Sequence, residues 1–374
     1  MPARINPNIA GLTPYQPGKP VDELTRELGI TDVIKLASNE NPRGPGALVQ
    51  EAIDAARDAL SRYPDGNAFA LKKAIASHIG VQENQLTIGN GSNDVLDLAA
   101  RFILSPGAQA IISAHAFVVY SLATVSAGGE VVVVPACNYG ADLAGFLDAV
   151  TDDTSLIFLA NPNNPTGTWV DESELGAFLD AVPEHIWVVL DEAYAEYVDV
   201  PGYPDGVALQ RHYPNLIVTR TFSKIHGLAG LRVGYGIASE LATDLMNRAR
   251  QPFNVNALAM AAAEAALNDQ EFVAESRQLN KRGMASLVSG ITALGCEHIP
   301  SVGNFICIDV GGPSLPVFEA LLKEGVIVRP VVEYGLPHHL RVTVGLPDEN
   351  QRFLVALGRV LSRTASAAGS GGET

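Results

Sequence analysis

Positive charge is scarce in this chain. Its 374 residues carry 25 Lys and Arg against 41 Asp and Glu, a formal net charge of -16. A surface that grips a phosphate backbone needs the opposite sign, which sets nucleic acid aside as a partner and leaves the acidity as a solvated face. Cysteine is also rare. Cys137, Cys296 and Cys307 form an odd set whose spacing matches no zinc or redox motif. Free, buried thiols in a reducing cytoplasm are the expectation. The histidines are scattered without metal-ligand spacing, so no metal is expected. No apolar run approaches the roughly 18 residues of a membrane span. Met1 to Ala10 holds a single arginine and no apolar run, unlike a secretory signal. No Gly-x-Ser-x-Gly elbow surrounds Ser223, which argues against a hydrolase.

What is present is an ordinary globular composition, 47% hydrophobic and 18% charged, in a chain long enough for two domains. Pro2, Pro7, Pro14, Pro17 and Pro20 exclude a regular helix before Val21 and predict an extended arm. Short, largely apolar, β-branched runs then recur at 86–88, 110–112, 131–134, 156–159, 187–190, 216–219 and 233–237, with helical stretches such as 93–104 and 117–127 between several of them. Strands apolar throughout belong to a mostly parallel sheet covered by helices on both faces, an α/β fold. Asp171 with Glu174 three positions on, ahead of Leu175, Phe178 and Leu179, reads as a capping box opening a helix. Beyond about residue 257 the character changes to an alanine-rich helix, a long amphipathic helix over 272–294, and strands at 305–310, 326–329 and 340–344. The expected layout is an arm at 1–45 that contributes to a small domain, a large domain at 46–256, a small C-terminal α/β domain at 257–361 and a flexible tail at 362–374.

Ligands collect at strand ends in such sheets, and each unusual string lies at one. Gly89-Asn90-Gly91-Ser92-Asn93 leads from a strand into a helix, suited to an anion or simply to close packing. Asn161-Pro162-Asn163-Asn164-Pro165-Thr166-Gly167 is a turn constrained enough to fix an amide toward a ligand. Asp191-Glu192-Ala193-Tyr194 places a carboxylate at the end of a buried run, where it is costly unless paired; a helix N-cap is the plainer alternative. Arg220-Thr221-Phe222-Ser223-Lys224, followed by Gly227 to Arg232, sets a lysine among hydroxyls and an arginine. A lone lysine is usually a solvated surface group. Together, however, this lysine, carboxylate and hydroxyl–arginine group form the set that pyridoxal phosphate chemistry uses. The amine takes the aldehyde as a Schiff base, the carboxylate keeps the pyridine nitrogen protonated, and the rest holds the phosphate.

These strings, with Ser38-Asn39-Glu40-Asn41-Pro42 and Tyr63-Pro64-Asp65-Gly66, resemble the class I/II pyridoxal phosphate-dependent aminotransferases over nearly the whole chain. The opening Leu12-Thr13-Pro14-Tyr15-Gln16-Pro17-Gly18 and the closing Val328-Arg329-Pro330 with Leu340-Arg341-Val342-Thr343-Val344-Gly345 are similar to the histidinol-phosphate aminotransferase branch. The resemblance implies a fold-type I transferase and pyridoxal 5'-phosphate as cofactor. It implies Lys224 as the Schiff-base lysine and proton carrier, Asp191 on the ring nitrogen, and Tyr194 and Asn164 on the phenolic oxygen. Ser92, Asn93, Thr221, Ser223 and Arg232 are implied at the phosphate, and Phe117 on the ring face. Tyr63 is implied to reach the phosphate of a neighbouring subunit in a homodimer with shared sites. Tyr15, Asn41, Arg329 and Arg341 are implied on the substrate. The family more often has tyrosine where Phe117 stands and an acidic pair where Asn93-Asp94 stands. The implied reaction is amino transfer between L-histidinol phosphate and 2-oxoglutarate, giving imidazole acetol phosphate and glutamate, in the cytoplasm. An aromatic amino acid aminotransferase and a phospho-amino-acid decarboxylase on the same scaffold are the alternatives, because one arginine site suits carboxylate and phosphate alike.

Overall fold

The computed structural model describes residues 5–14 and 18–370, with side chains to Arg363. A short strand β1 (Ile34–Lys35) leaves the N-terminal segment. Seven strands follow: β2 (Leu86–Gly89), β3 (Gln109–Ser113), β4 (Glu130–Val134), β5 (Thr154–Ala160), β6 (Trp187–Asp191), β7 (Leu216–Thr221) and β8 (Gly234–Ile237). They form one sheet in the order β2-β8-β7-β6-β5-β3-β4. β8 is antiparallel to both its neighbours, and all other pairs are parallel. The C-terminal ends of β2, β3, β5, β6 and β7 and the N-terminal end of β8 therefore share one edge.

The apolar stretches of these strands serve two cores. Side chains alternate across a strand, and here Ile157, Leu159, Val188, Leu190 and Val218 enter one cluster. Leu156, Phe158, Val189 and Ile217 enter the cluster on the opposite face. Each such side chain, fully removed from water, contributes about 1.5–3 kcal/mol, which holds the strand ends rigidly enough to carry a site.

A second sheet follows, from β9 (Glu297–Ile299), β10 (Phe305–Asp309), β12 (Arg329–Pro330) and β13 (His339–Thr343), in the antiparallel order β12-β13-β10-β9. Its core joins Ile306, Ile308, Leu340 and Val342 to Leu287 and Ile291 of the helix Gln270–Ala293 and to Phe353 and Leu357 of the helix Pro347–Ser370. The stretch read as one strand over 326–329 is two: β11 (Val326–Ile327) pairs in parallel with β1, and β12 pairs with β13. The N-terminal segment is thus tied to this second sheet, with Leu36 accepting from Thr343 N and Asn39 N donating to Thr343 Oγ1.

Three expectations need correction. One helical turn, Pro7–Ala10, does precede Val21; Asn6 caps it and Pro7 sits in the first turn, where its missing N–H costs nothing. Cys137 is exposed, in a tight Cys137–Gly140 bridge, while Cys296 is half-buried and Cys307 buried; all three are free. The last helix runs past Leu361 to Ser370, through an alanine-containing stretch that favours helix. The capping box forms as read: Asp171 accepts from Glu174 N, and Glu174 accepts from Asp171 N.

Candidate active site

One cavity of about 200 Å³ opens at the shared strand edge, and the second sheet closes it from above. Its floor is built around Asp191, the last residue of β6. In register, Asp191 lies opposite Ala160 of β5 and Thr219 of β7. Its carboxylate accepts from Thr219 Oγ1 at 2.9 Å and from the Tyr120 hydroxyl at 2.8 Å. Burial pushes the Asp191 carboxyl above the ordinary value, against the pull of Tyr120, Thr219, the Ala193 amide and Lys224. A buried carboxylate at the open end of a strand is costly without a cationic partner, so this one is poised for a ligand cation. Tyr120 is itself fixed by stacking on Phe158, with centroids 4.9 Å apart and planes 3° from parallel.

Lys224 follows β7 and lines the same cavity. Its Nζ donates to the Ser38 carbonyl at 3.1 Å. Burial first, then the nearby Arg341 guanidinium, pulls the amine down to about 7, with Arg232 adding to this and Glu40 and Asp191 opposing it. At neutral pH much of this amine is unprotonated and nucleophilic. The Tyr194 ring lies 5.4 Å from Nζ, and its hydroxyl accepts from Asn39 Nδ2 at 3.0 Å. Asn39 holds a left-handed backbone at φ 56°.

At one end of the cavity the helix Ser92–Ile103 begins. Its first-turn N–H groups lack intrahelical acceptors and carry the positive end of the helix dipole. Ser92, Asn93, Thr221, Ser223 and Arg232 meet there. Arg232 Nη1 donates to Ser223 Oγ at 3.3 Å and to the Ala229 carbonyl at 3.0 Å. Gly91 must be glycine: its φ is +82°, and a Cβ there would lie 2.6 Å from Arg232 Nη2. The result is a cradle of N–H, hydroxyl and guanidinium donors for an anion.

The loop after β5 is clamped by its own amides. Asn161 Nδ2 donates to the Val170 carbonyl and its Oδ1 accepts from Val170 N, both at 3.0 Å. Asn163 Nδ2 donates to Thr166 Oγ1 at 2.8 Å and to the His115 carbonyl at 3.1 Å. The peptides before Pro162 and Pro165 are cis. This geometry holds Asn164 in the cavity wall, where its Oδ1 accepts from Arg341 Nη1.

From the second sheet come Arg341 and Arg329, buried cross-strand neighbours that both line the cavity. Arg341 Nη2 donates to the Ala37 carbonyl at 2.8 Å, and its Nε is buried with no acceptor among the described residues. Phe117 also lines the cavity.

Ten of the expected cofactor residues and both arginines are therefore brought together. Two residues are not. Tyr63 is 84% exposed and stacks on Phe253 at 4.8 Å, away from the cavity. Asn41 is buried and does not line the cavity, its Nδ2 donating to the Ile225 carbonyl at 2.7 Å and to Ser276 Oγ at 3.0 Å. Its Oδ1 accepts from Arg43 N. Tyr15 lies outside the described residues. Sequence reading missed Tyr120, Thr219 and Asn39, which orient the groups it did find. The residues suit a phosphorylated aromatic aldehyde with a basic ring nitrogen: an anion cradle at one end, a carboxylate for the nitrogen and a depressed amine for the aldehyde.

Residues 31–357 match the model of the family described as aminotransferase class I and II. The chain is 56% identical over 363 residues to histidinol-phosphate aminotransferase 2 of Pseudomonas fluorescens, covering 96% of this chain and 98% of that one. To the protein of the same name from Pseudomonas aeruginosa it is 54% identical over 362 residues, with the same coverage. Among solved structures it is similar to the histidinol-phosphate aminotransferase of Sinorhizobium meliloti in complex with pyridoxal-5'-phosphate. The TM-score is 0.89 and the identity 29%, covering 97% of this chain and 98% of that one.

Proposed function

The chain belongs to the class I and II aminotransferases, and on that footing we propose that it moves an amino group reversibly between L-histidinol phosphate and 2-oxoglutarate, forming imidazole acetol phosphate and glutamate in histidine biosynthesis. The observation that carries the reading is the convergence, in one cavity, of a depressed lysine amine, a buried carboxylate and two separate cationic ends. One cationic end suits the cofactor phosphate and the other a substrate anion. Pyridoxal 5'-phosphate, when bound, supplies an electrophilic carbon and an electron-accepting ring.

The chain's own groups do the rest. Ser92, Asn93, Thr221, Ser223 and Arg232 take the cofactor phosphate. Asp191, held by Tyr120 and Thr219, keeps a proton on the ring nitrogen. Tyr194 and Asn164 hold the phenolic oxygen, and Phe117 covers the ring face. Lys224 tethers the cofactor and then carries a proton on and off the substrate Cα, a task suited to an amine near neutrality. Arg341 and Arg329, with Tyr15, take the substrate's phosphate or carboxylate. Asn41 acts by fixing the segment that presents the Ser38 carbonyl to Lys224.

The proposed assembly is a homodimer. Tyr63, Leu60 at 54% and Phe253 at 46% exposure make an apolar patch on the chain surface, from which Tyr63 would reach the cofactor phosphate of a second copy. The proposed location is the cytoplasm: the three cysteines are free, and no helix among the described residues is long and apolar enough to cross a membrane. Comparing kcat/KM for histidinol phosphate and phenylalanine, each with 2-oxoglutarate, tests the substrate. Histidinol phosphate is expected to win by orders of magnitude, and a preference for phenylalanine would overturn the reading.

A further inference from the structure

The cross-strand register sets Arg329 of β12 directly opposite Arg341 of β13. Like charges in that position repel. The hydrogen-bond acceptors on Arg341, Asn164 Oδ1 and the Ala37 carbonyl, are neutral and leave its charge uncancelled. A carboxylate does reach Arg329: Glu333, one turn on in the 3-10 segment Val332–Tyr334, pairs through Oε1 with Arg329 Nη2. The two partners differ in one respect that decides what happens when an anion arrives. The Arg329 side chain is 8% exposed and lines the cavity, whereas that of Glu333 is 45% exposed. Glu333 can rotate into water at little desolvation cost, and Arg329 cannot.

We propose that Glu333 is a built-in counter-ion that an incoming substrate anion displaces from Arg329, and that its charge weakens phosphate esters more than carboxylates. The inference rests on the reading of Arg329 and Arg341 as the substrate-anion site. Rotating Glu333 away costs the same whichever ligand enters. The repulsion that remains scales with ligand charge. A carboxylate brings one negative charge and a phosphate monoester about 1.5–2 near neutral pH. A site that takes a phosphate ester in one half-reaction and a dicarboxylate in the other must bind and release both. Glu333 therefore narrows the gap between them, acting as a positioning and specificity residue without touching the reacting atoms.

The test uses the cofactor-loaded protein and two small probes, ethyl phosphate and propionate, with dissociation constants measured by calorimetry at about pH 8, where the ester is a dianion. Glu333→Gln is expected to tighten propionate about threefold and ethyl phosphate about tenfold, the size of one partly exposed charge acting on one and on two ligand charges. Glu333→Asp keeps the charge, and the ratio of the two constants is expected to stay near that of the unaltered protein. High salt should shrink the difference between Gln and Glu forms. If both probes shift by the same factor in Glu333→Gln, or neither shifts, the inference fails while the arginine site stands. If the unaltered protein binds neither probe, the arginine site itself is wrong and the inference falls with it.

Discussion

Replacing Tyr120 by phenylalanine removes one atom from a residue that sequence reading passed over. The hydroxyl donates at 2.8 Å to a carboxylate only 5% exposed. A hydrogen bond to a charged group contributes about 1.5–3 kcal/mol, and burial leaves little solvent to replace it. The ring keeps its packing in the variant, since it is held by stacking on Phe158 and by an edge contact with Phe117 at 5.9 Å, neither of which uses the hydroxyl. Thr219 still donates to the other carboxylate oxygen. The loss should therefore fall near the low end, about tenfold in kcat, since about 1.4 kcal/mol is a factor of ten in rate. The sign of the pH effect follows from the same bond. Tyr120 lowers the Asp191 carboxyl, so removing it lets burial push that carboxyl higher still. In the proposed role the ionised form would hold a proton on the ring nitrogen, so the acidic limb of the kcat profile should move to higher pH. Single-turnover absorbance kinetics across pH 5.5 to 9, with a thermal melt as the control for folding, decide the matter. An unshifted acidic limb with an unchanged rate would mean that Tyr120 is packing alone and that Asp191 does not work as argued.

Lys224→Ala should leave no cofactor that borohydride can fix to the chain and no turnover; borohydride-stable attachment in that variant would remove the lysine from its role. In cofactor-free protein, the rate of cofactor capture should climb as pH rises through about 7 and then level, because the Lys224 amine is pulled down to that value; a climb centred near the ordinary lysine value would contradict this. Gly91→Ala places a side chain at φ +82° and 2.6 Å from Arg232 Nη2, so cofactor affinity should drop at least about tenfold, given about 1–3 kcal/mol of backbone strain before any clash. Equilibrium titration with cofactor reads it directly. Asp171→Ala should cost about 1 kcal/mol of stability through the lost cap and leave kcat untouched, as a denaturant melt and an assay would show.

Some of the architecture was legible because one physical pattern announces it. Strands buried on both faces read as near-continuous apolar runs, as 156–159, 187–190 and 216–218 do. The reversed direction of β8 was not announced by its own residues. It follows from the link after β7, which holds only the 3-10 turn Ala229–Leu231 and no crossover helix. The same division runs through the site. Lys224, Asp191 and Arg232 stand in strings whose composition is odd for packing alone. Tyr120 stands within the apolar stretch Val119–Ala127 and reads as core; its hydroxyl matters only because the sheet order puts that helix beside the end of β6. Asn39 stands in one of the odd strings, but its role was not legible there, since its contact with Tyr194 joins residues far apart in the chain.

Most of the other contacts that sequence could not reveal lie where the two sheets and the arm meet. Arg341 to Asn164 and Cys307 to the Pro165 carbonyl join the first sheet to the second, Asn304 to the Asn39 carbonyl joins the second sheet to the arm, and Lys224 to the Ser38 carbonyl and Asn39 to Tyr194 join the first sheet to the arm. None lies within a regular element pairing, so no periodicity encodes them. They nevertheless set the chemistry. Arg341 both depresses the Lys224 amine and holds Asn164. In the proposed arrangement an anion arriving at Arg341 is sensed at the amine and at the cofactor's phenolic oxygen together, because the same guanidinium faces all three. Neutralising that guanidinium with substrate charge relieves one of the two cationic influences that hold Lys224 low. The lysine proposed to carry the proton would thus gain basicity when a substrate is seated, which is when a base is required.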